Sequence, residues 1–292
     1  LDMLPEDRRD YIEKNVIPSK EEMAKRSEYP TSMDLCKEFV DSVPDEAYLK
    51  GTAGDLAGCG KGNIVLCLFD KYNEILKDKY EDTERCRVII EERLYFGDIS
   101  EENVCFTVLL LKCYALAVCG VEQDYEFNCY SGESIVKLNC NGNKLHKDYE
   151  KFKKILNILI INPPYTPPNA IGTGNAIWQY FIKETFNWIK PGGYLVAIHP
   201  PGWRKPSTEK GRYYGIYNML VCENTMLNLT MYSPDMTKKL LHGAQSRTDW
   251  YTVKLEKPSK DHITDVKDID GNEKKLNLQK YPFLLNNNFD KL

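Results

Sequence analysis

The sequence has no Cys-x-x-Cys pair and no cysteine clustered with histidine, although 10 of its 292 residues are cysteines. Zinc frameworks depend on close ligand spacing, so this distribution excludes the usual ones and argues against a disulfide scaffold. Most of the cysteines sit in apolar runs such as Val104-Cys105-Phe106 and Val118-Cys119, where a thiol behaves as a small core hydrophobe. Reduced structural thiols, no metal, and a reducing intracellular setting in the cytoplasm are expected. Also missing is any run near the ~18 uninterrupted apolar residues of a membrane span. The stretch Leu1–Arg9 has no apolar core of a secretory signal. Nor is there an excess of positive charge: 39 basic against 43 acidic residues give a net charge of −4. That balance speaks against a surface that grips nucleic acid over its whole extent.

What the chain does have is enough apolar material for a core, 42% hydrophobic against 28% charged residues. The first fifty residues read as helical and polar. Met33, Cys36, Val40 and Val43 share one helix face, Thr31 or Ser32 supplies the N-cap, and Pro44 stops the helix. From Gly51 to Pro200 short apolar runs alternate with helices, the signature of a parallel sheet with crossover helices. Strands are expected at Arg93–Gly97, Tyr125–Tyr130, Ile155–Ile161 and Tyr194–His199, and helices at Ile64–Lys77, Glu101–Cys119 and Ala176–Ile189. A first strand falls near Leu49–Gly54, which is poor in β-branched residues. Met226–Tyr232 and Trp250–Leu255 read as two more strands, and Asp270-Gly271 as the turn of a terminal hairpin.

Four segments carry chemistry. In Gly54–Asn63, Gly58, Gly60 and Gly62 permit a tight strand-to-helix turn and close backbone approach, with Asp55 at the strand end. Such a loop fits a dinucleotide, S-adenosylmethionine, or only a tight turn; no Gly-Lys-Ser/Thr follows, so a Walker-type phosphate loop is excluded. Asp98, in Tyr95-Phe-Gly-Asp-Ile-Ser100, is placed to accept ribose hydroxyls, or else to cap the helix starting near Glu101. Ile158–Ile161 is an apolar strand ending in Asn162-Pro163-Pro164-Tyr165. Two prolines cannot donate to a sheet ladder and fix φ, so they stop the strand beside the Asn162 amide. The Asn162 side-chain oxygen and the Pro163 carbonyl can each accept an N–H, and the Tyr165 ring offers a face for a planar base. The fourth segment, His199–Tyr214, interleaves Trp203, Tyr213 and Tyr214 with Arg204, Lys205, Lys210 and Arg212 against the single acid Glu209. It suits a nucleic-acid strand held by its phosphates, and equally an ordinary solvated loop. A second basic patch is Lys238, Lys239 and Arg247.

In this combination the chain, from roughly Tyr29 to Lys257, resembles the N6-adenine-specific DNA methyltransferases of the Asn-Pro-Pro-Tyr type. The motif order is gamma-like: N-terminal helix, Gly-rich loop, then the tetrapeptide. Tyr29-Pro-Thr-Ser32 is similar to the family's Thr-Pro-like element, Gly132-Glu-Ser134 to its third-strand element, and Lys190-Pro-Gly-Gly-Tyr194 to the turn before its fifth strand. The resemblance implies an α/β, Rossmann-like class I methyltransferase fold: a seven-stranded, mostly parallel sheet with one antiparallel strand. N-terminal helices would occupy 1–50, the catalytic domain 51–258 with an inserted basic loop at 200–225, and a small hairpin region 259–292. It further implies S-adenosylmethionine as cofactor, held by Thr31, Asp55, Ala57, Gly58, Gly60, Gly62, Asp98, Ile99 and Glu133. Catalysis would fall to Asn162, Pro163, Pro164 and Tyr165, and contact with adenine-containing duplex DNA to Trp203, Arg204, Lys205, Lys210 and Arg212. A cognate restriction endonuclease or second subunit is an implied partner; a membrane is not. Two departures stand out: the Gly-rich loop has one residue more than usual between Asp55 and Gly60, and Glu133 replaces the commoner Asp. Cytosine C5 methylation would need a nucleophilic cysteine, usually after proline, and there is no Pro-Cys. Competing readings are the same chemistry on a protein Gln or RNA guanine N2, a silent cofactor-binding subunit, and a nicotinamide-dependent oxidoreductase.

Overall fold

The computed structural model describes residues 29–131, 136–139, 142–145, 153–167 and 176–289. Two short helices open it: α1 (Met33–Asp41), whose N-cap Ser32 accepts the Leu35 N–H, and α2 (Asp45–Lys50) after Pro44. The first strand, β1, is only Ala53–Asp55, followed by α3 (Asn63–Ile75), α4 (Asp82–Arg87), β2 (Leu94–Asp98) and α5 (Glu101–Cys119). Next come β3 (Asn128–Ser131) and a separate antiparallel pair, β4 (Val136–Asn139) with β5 (Gly142–Leu145), which the sequence reading did not foresee. The chain then returns to the main sheet through β6 (Leu156–Ile161), α6 (Trp178–Trp188) and β7 (Ile189–His199). It closes with β8 (Thr225–Tyr232), α7 (Pro234–Leu240), β9 (Thr248–Lys254), β10 (Thr264–Lys267) and β11 (Glu273–Leu276).

The main sheet runs in the order β3-β2-β1-β6-β7-β9-β8-β10-β11. Strands β1, β2, β3, β6 and β7 are mutually parallel, and β9 lies antiparallel between β7 and β8. These are the seven strands and the single reversal that the resemblance implies. The C-terminal hairpin does not stand apart from them: β10 pairs in parallel with β8, and the sheet reaches nine strands.

The central strands are buried on both faces, as a parallel sheet under two helical layers requires. Ile158, Leu159, Ile160 and Ile161 of β6 are fully buried, as are Leu195–Ile198 of β7. Of the helices, α5 is long and apolar enough, by length and composition, to cross a membrane, with 33% of its most apolar window buried. It packs here on β2, β3, α3 and α4. No disulfide joins the described cysteines; Cys36, Cys59, Cys67 and Cys86 are buried, but Cys105 is exposed and Cys119 half-buried although both lie in apolar runs, because they fall on the outer side of α5.

Candidate active site

In a right-handed parallel α/β sheet, ligands gather beyond the carboxyl ends of the strands. The chain places Asp55 at the end of β1, Asp98 at the end of β2 and Asn162 immediately after β6, three neighbouring strands of one edge. The turn from β1 into α3 holds Gly58, Gly60 and Gly62 at positive φ, 148°, 52° and 88°. Gly62 is the most constrained of them. It caps α3 in the left-handed region, and a Cβ there would stand 2.8 Å from Thr107 Oγ1. Glycine is the residue that meets both conditions.

Asp98 anchors this loop. Its Oδ2 accepts the Gly60 N–H at 2.9 Å and its Oδ1 the Ser100 N–H at 2.8 Å. The helix-cap alternative for Asp98 is excluded, because Ser100 is the N-cap of α5 and its Oγ accepts the Asn103 N–H. Asp55 is 1% exposed; burial, with a smaller contribution from the Asp98 charge, pushes its carboxyl up to about 8. The Ala57 and Gly58 N–H groups oppose that rise, and Asp55 keeps its proton through neutral pH. Ile99, next to Asp98, is 61% exposed, the most exposed large hydrophobic side chain among the described residues. Glu133 lies outside the described residues.

The Asn162 amide has a defined orientation. Its Nδ2 donates to the Tyr29 carbonyl at 3.0 Å and to Thr31 Oγ1 at 3.1 Å. A backbone carbonyl can only accept, so the nitrogen must face it and Oδ1 must turn the other way. Thr31 is itself fixed, buried, with its carbonyl accepting from Asn63 Nδ2 at 2.7 Å. Pro163 is buried and Pro164 half-buried. Tyr165 is buried, its carbonyl accepts the Ile177 N–H at 3.0 Å, and its hydroxyl has no hydrogen-bond partner among the described residues. Burial pushes that hydroxyl's pKa upward, so it stays protonated.

Two of the expected DNA contacts are corrected. Trp203 and Arg204 are buried. Trp203 Nε1 donates to Asp249 Oδ2 at 3.0 Å, Arg204 Nε donates to the same oxygen at 2.6 Å, and Arg204 Nη2 bonds Asp249 Oδ1. Arg204 Nη1 also reaches Asn286 Oδ1 at 2.6 Å, tying the loop after β7 to the C-terminal segment. A planar guanidinium suits this fork, and a solvent-facing phosphate contact cannot be made from it. The sequence pattern misled because local spacing does not reveal a buried acid some 45 residues away. Lys205, Lys210 and Arg212 are exposed.

Beside this network sits an aromatic stack the sequence did not reveal. The Trp178 ring lies 4.1 Å from His199 at 13° and 5.1 Å from Tyr213 at 17°. His199 Nδ1 faces the Pro200 carbonyl at 3.0 Å and so carries the proton, leaving Nε2 to accept from the Tyr251 hydroxyl at 2.7 Å. Burial pushes His199 down to about 3, so it is a neutral packing group at physiological pH. Among the described residues, no group of three or more His, Cys, Asp or Glu side chains could hold a metal ion.

No protein-family model matches this chain, and no curated protein sequence does either. Solved structures do resemble it. One is described as the modification subunit of a type I restriction enzyme from Vibrio vulnificus, at TM-score 0.59 and 14% identity over 92% of this chain and 53% of that one. A nuclease-deleted Type ISP restriction-modification enzyme, LlaGI, with a DNA substrate mimic, aligns at TM-score 0.60 and 12% identity over 82% of this chain and 24% of that chain. A Listeria monocytogenes protein described as a class I S-adenosylmethionine-dependent methyltransferase aligns at 0.51 and 11%, covering 91% of this chain and 74% of its own. The fold is the Rossmann-like fold of class I methyltransferases. The chain spans about half the length of the Vibrio subunit, at 53%.

Proposed function

We propose that this chain transfers a methyl group from S-adenosylmethionine to N6 of adenine in DNA. The observation that carries the reading is the Asn162 amide. Its Nδ2 donates to both Tyr29 and Thr31, which leaves the oxygen as the group to accept from a substrate. An exocyclic amine donating to Asn162 Oδ1 and to the Pro163 carbonyl would be held with its nitrogen lone pair available for displacement. When bound, S-adenosylmethionine supplies an electrophilic methyl group on its sulfonium. Its fit rests on the loop from Asp55 to Gly62, where a Cβ at Gly58 would meet nothing nearer than Asp98 Oδ2 at 3.8 Å, and on the exposed Ile99 beside Asp98. Asp98 would accept the ribose hydroxyls and Ile99 would cover an adenine face. Thr31, Ala57 and Glu133 remain part of the proposed cofactor set.

The target adenine would leave the duplex, because its N6 cannot be reached in line while stacked. The Tyr165 ring, with no partner on its hydroxyl, would serve as an apolar face. Lys205, Lys210 and Arg212 would meet the phosphate backbone, and a second subunit or restriction endonuclease would complete the recognition surface. Support comes from the likeness to restriction-modification proteins, one of them in complex with a DNA substrate mimic. Labelled-methyl transfer to adenine-containing duplex, beside RNA and Gln-containing peptide, tests the reading. Transfer only to RNA guanine or to Gln would overturn it.

Two predictions belong here. Asp98→Ala should weaken S-adenosylmethionine binding by about 1.5–3 kcal/mol for each charge-assisted bond lost, read by calorimetry. The apoprotein should also lose about 1–3 kcal/mol, since the Gly60 and Ser100 N–H groups lose their acceptor. Unchanged affinity would remove Asp98 from the cofactor site. Thr31→Val keeps the shape but deletes the Oγ1 acceptor, and should slow single-turnover transfer by the worth of one hydrogen bond, about 0.5–1.5 kcal/mol. Thr31→Ser should restore the rate. If Thr31→Val lowers cofactor affinity and leaves the rate constant alone, Thr31 contacts the cofactor and does not orient Asn162.

A further inference from the structure

A second group of cations stands on the same sheet edge and is not used by the site just described. Lys238 and Lys239 lie in the last turn of α7, and Arg247 ends the loop leading into β9; all three are exposed. None of their side chains forms an ion pair or hydrogen bond with another described residue. Asp235 stands one turn before Lys238 and Lys239 on the same side of α7, but forms no ion pair with either, so the cluster keeps an excess of two positive charges. Lysines at a helix end are partly accounted for by the helix dipole; Arg247, on a loop, feels the charge of the buried Asp249 but forms no ion pair with it.

The topology fixes where this cluster sits. His199 at the end of β7 pairs with Asp249, and Tyr232 at the end of β8 pairs with Thr248, so α7 and the loop before β9 project from the edge that carries Asn162. From β6 to β8 there are three strand spacings, roughly 14 Å at about 4.8 Å each. That span compares with a DNA major groove about 12 Å wide. Lys205, Lys210 and Arg212 follow β7, between the two. The end of α7 also abuts the segment that orients Asn162, since the Leu240 carbonyl accepts the Ser32 N–H at 2.9 Å.

We propose that Lys238, Lys239 and Arg247 form a phosphate-contact surface for duplex DNA, holding the backbone about one groove away from the target base. The proposal rests on the methyl-transfer reading for the identity of the polyanion, but the contact is electrostatic and requires no turnover. Each phosphate neutralised releases counterions, which gives the surface a quantitative signature.

The test is binding of the full chain to a labelled adenine-containing duplex, followed by anisotropy between 50 and 200 mM salt. Lys238→Ala/Lys239→Ala/Arg247→Ala should bind at least tenfold more weakly at the low-salt end. Its plot of log affinity against log salt should be shallower by two to three contacts' worth, each about 0.9 in slope. Lys50→Ala/Lys77→Ala/Lys79→Ala removes equal charge from the amino edge and should leave the slope unchanged. An unaltered slope in the first variant, equal shifts in both, or displacement of the duplex by polyglutamate at equal charge concentration would overturn the surface. If the slope shifts as expected but no adenine receives a methyl group, the surface stands and the methyl-transfer reading fails.

Discussion

Asn162→Ala is expected to slow single-turnover methyl transfer to adenine in duplex DNA by 10²–10³-fold, about 2.7–4 kcal/mol, the usual effect of deleting one preorganised hydrogen-bonding group. Affinity for S-adenosylmethionine should stay within about twofold, because Asp55, the glycine loop and Asp98 belong to β1 and β2 while Asn162 ends β6. Asn162→Asp sharpens the test. It retains an acceptor oxygen but sets a second one against the Tyr29 carbonyl, where Nδ2 now donates at 3.0 Å. That juxtaposition should turn the side chain away and slow transfer as well. Near-normal turnover of Asn162→Ala would remove the tetrapeptide from the chemistry.

Arg204→Ala should destabilise the protein by about 3–5 kcal/mol, the range for removing one partner of a buried ion pair. Asp249 is fully buried, and its charge is balanced by the Arg204 fork and the Trp203 indole. Burial pushes the Asp249 carboxyl up, and Arg204 is the main group opposing that shift. Without it Asp249 must either stay charged and unpaired or take up a proton. Arg204→Lys should recover little, since a single ammonium cannot reproduce the fork or also reach Asn286. Urea unfolding measures the loss. A change below about 1 kcal/mol, within the range of an exposed pair, would return Arg204 to the surface.

The sequence alone determined where most of the elements lie, because their signals are local. The run Ile158–Ile161 and its two prolines define β6 and its end, and Glu101–Cys119 is a helix over the residues expected. Ser32 and Ser100 act as caps because a short hydroxyl side chain can reach a first-turn N–H. The tetrapeptide after β6 was legible for the same reason: an apolar strand stopped by two prolines is written in consecutive residues.

Only the tertiary structure decided what depends on distant neighbours. Strand β1 was hard to read because it lies between β2 and β6, where Gly54 admits the Tyr95 carbonyl; a Cβ there would stand 2.0 Å from it. That close approach, in a strand of only three residues, left no place for the β-branched residues by which a strand is usually recognised. The terminal hairpin was legible as a hairpin, but its pairing with β8 was not. The orientation of Asn162 depends on Tyr29 and Thr31, 133 and 131 positions away. The burial of Arg204 likewise depends on Asp249. An arginine beside lysines and aromatics reads the same whether it faces water or a buried acid. Its fate is set by which carboxylate the sheet brings opposite it, and here the antiparallel pairing of β7 with β9 brings Asp249.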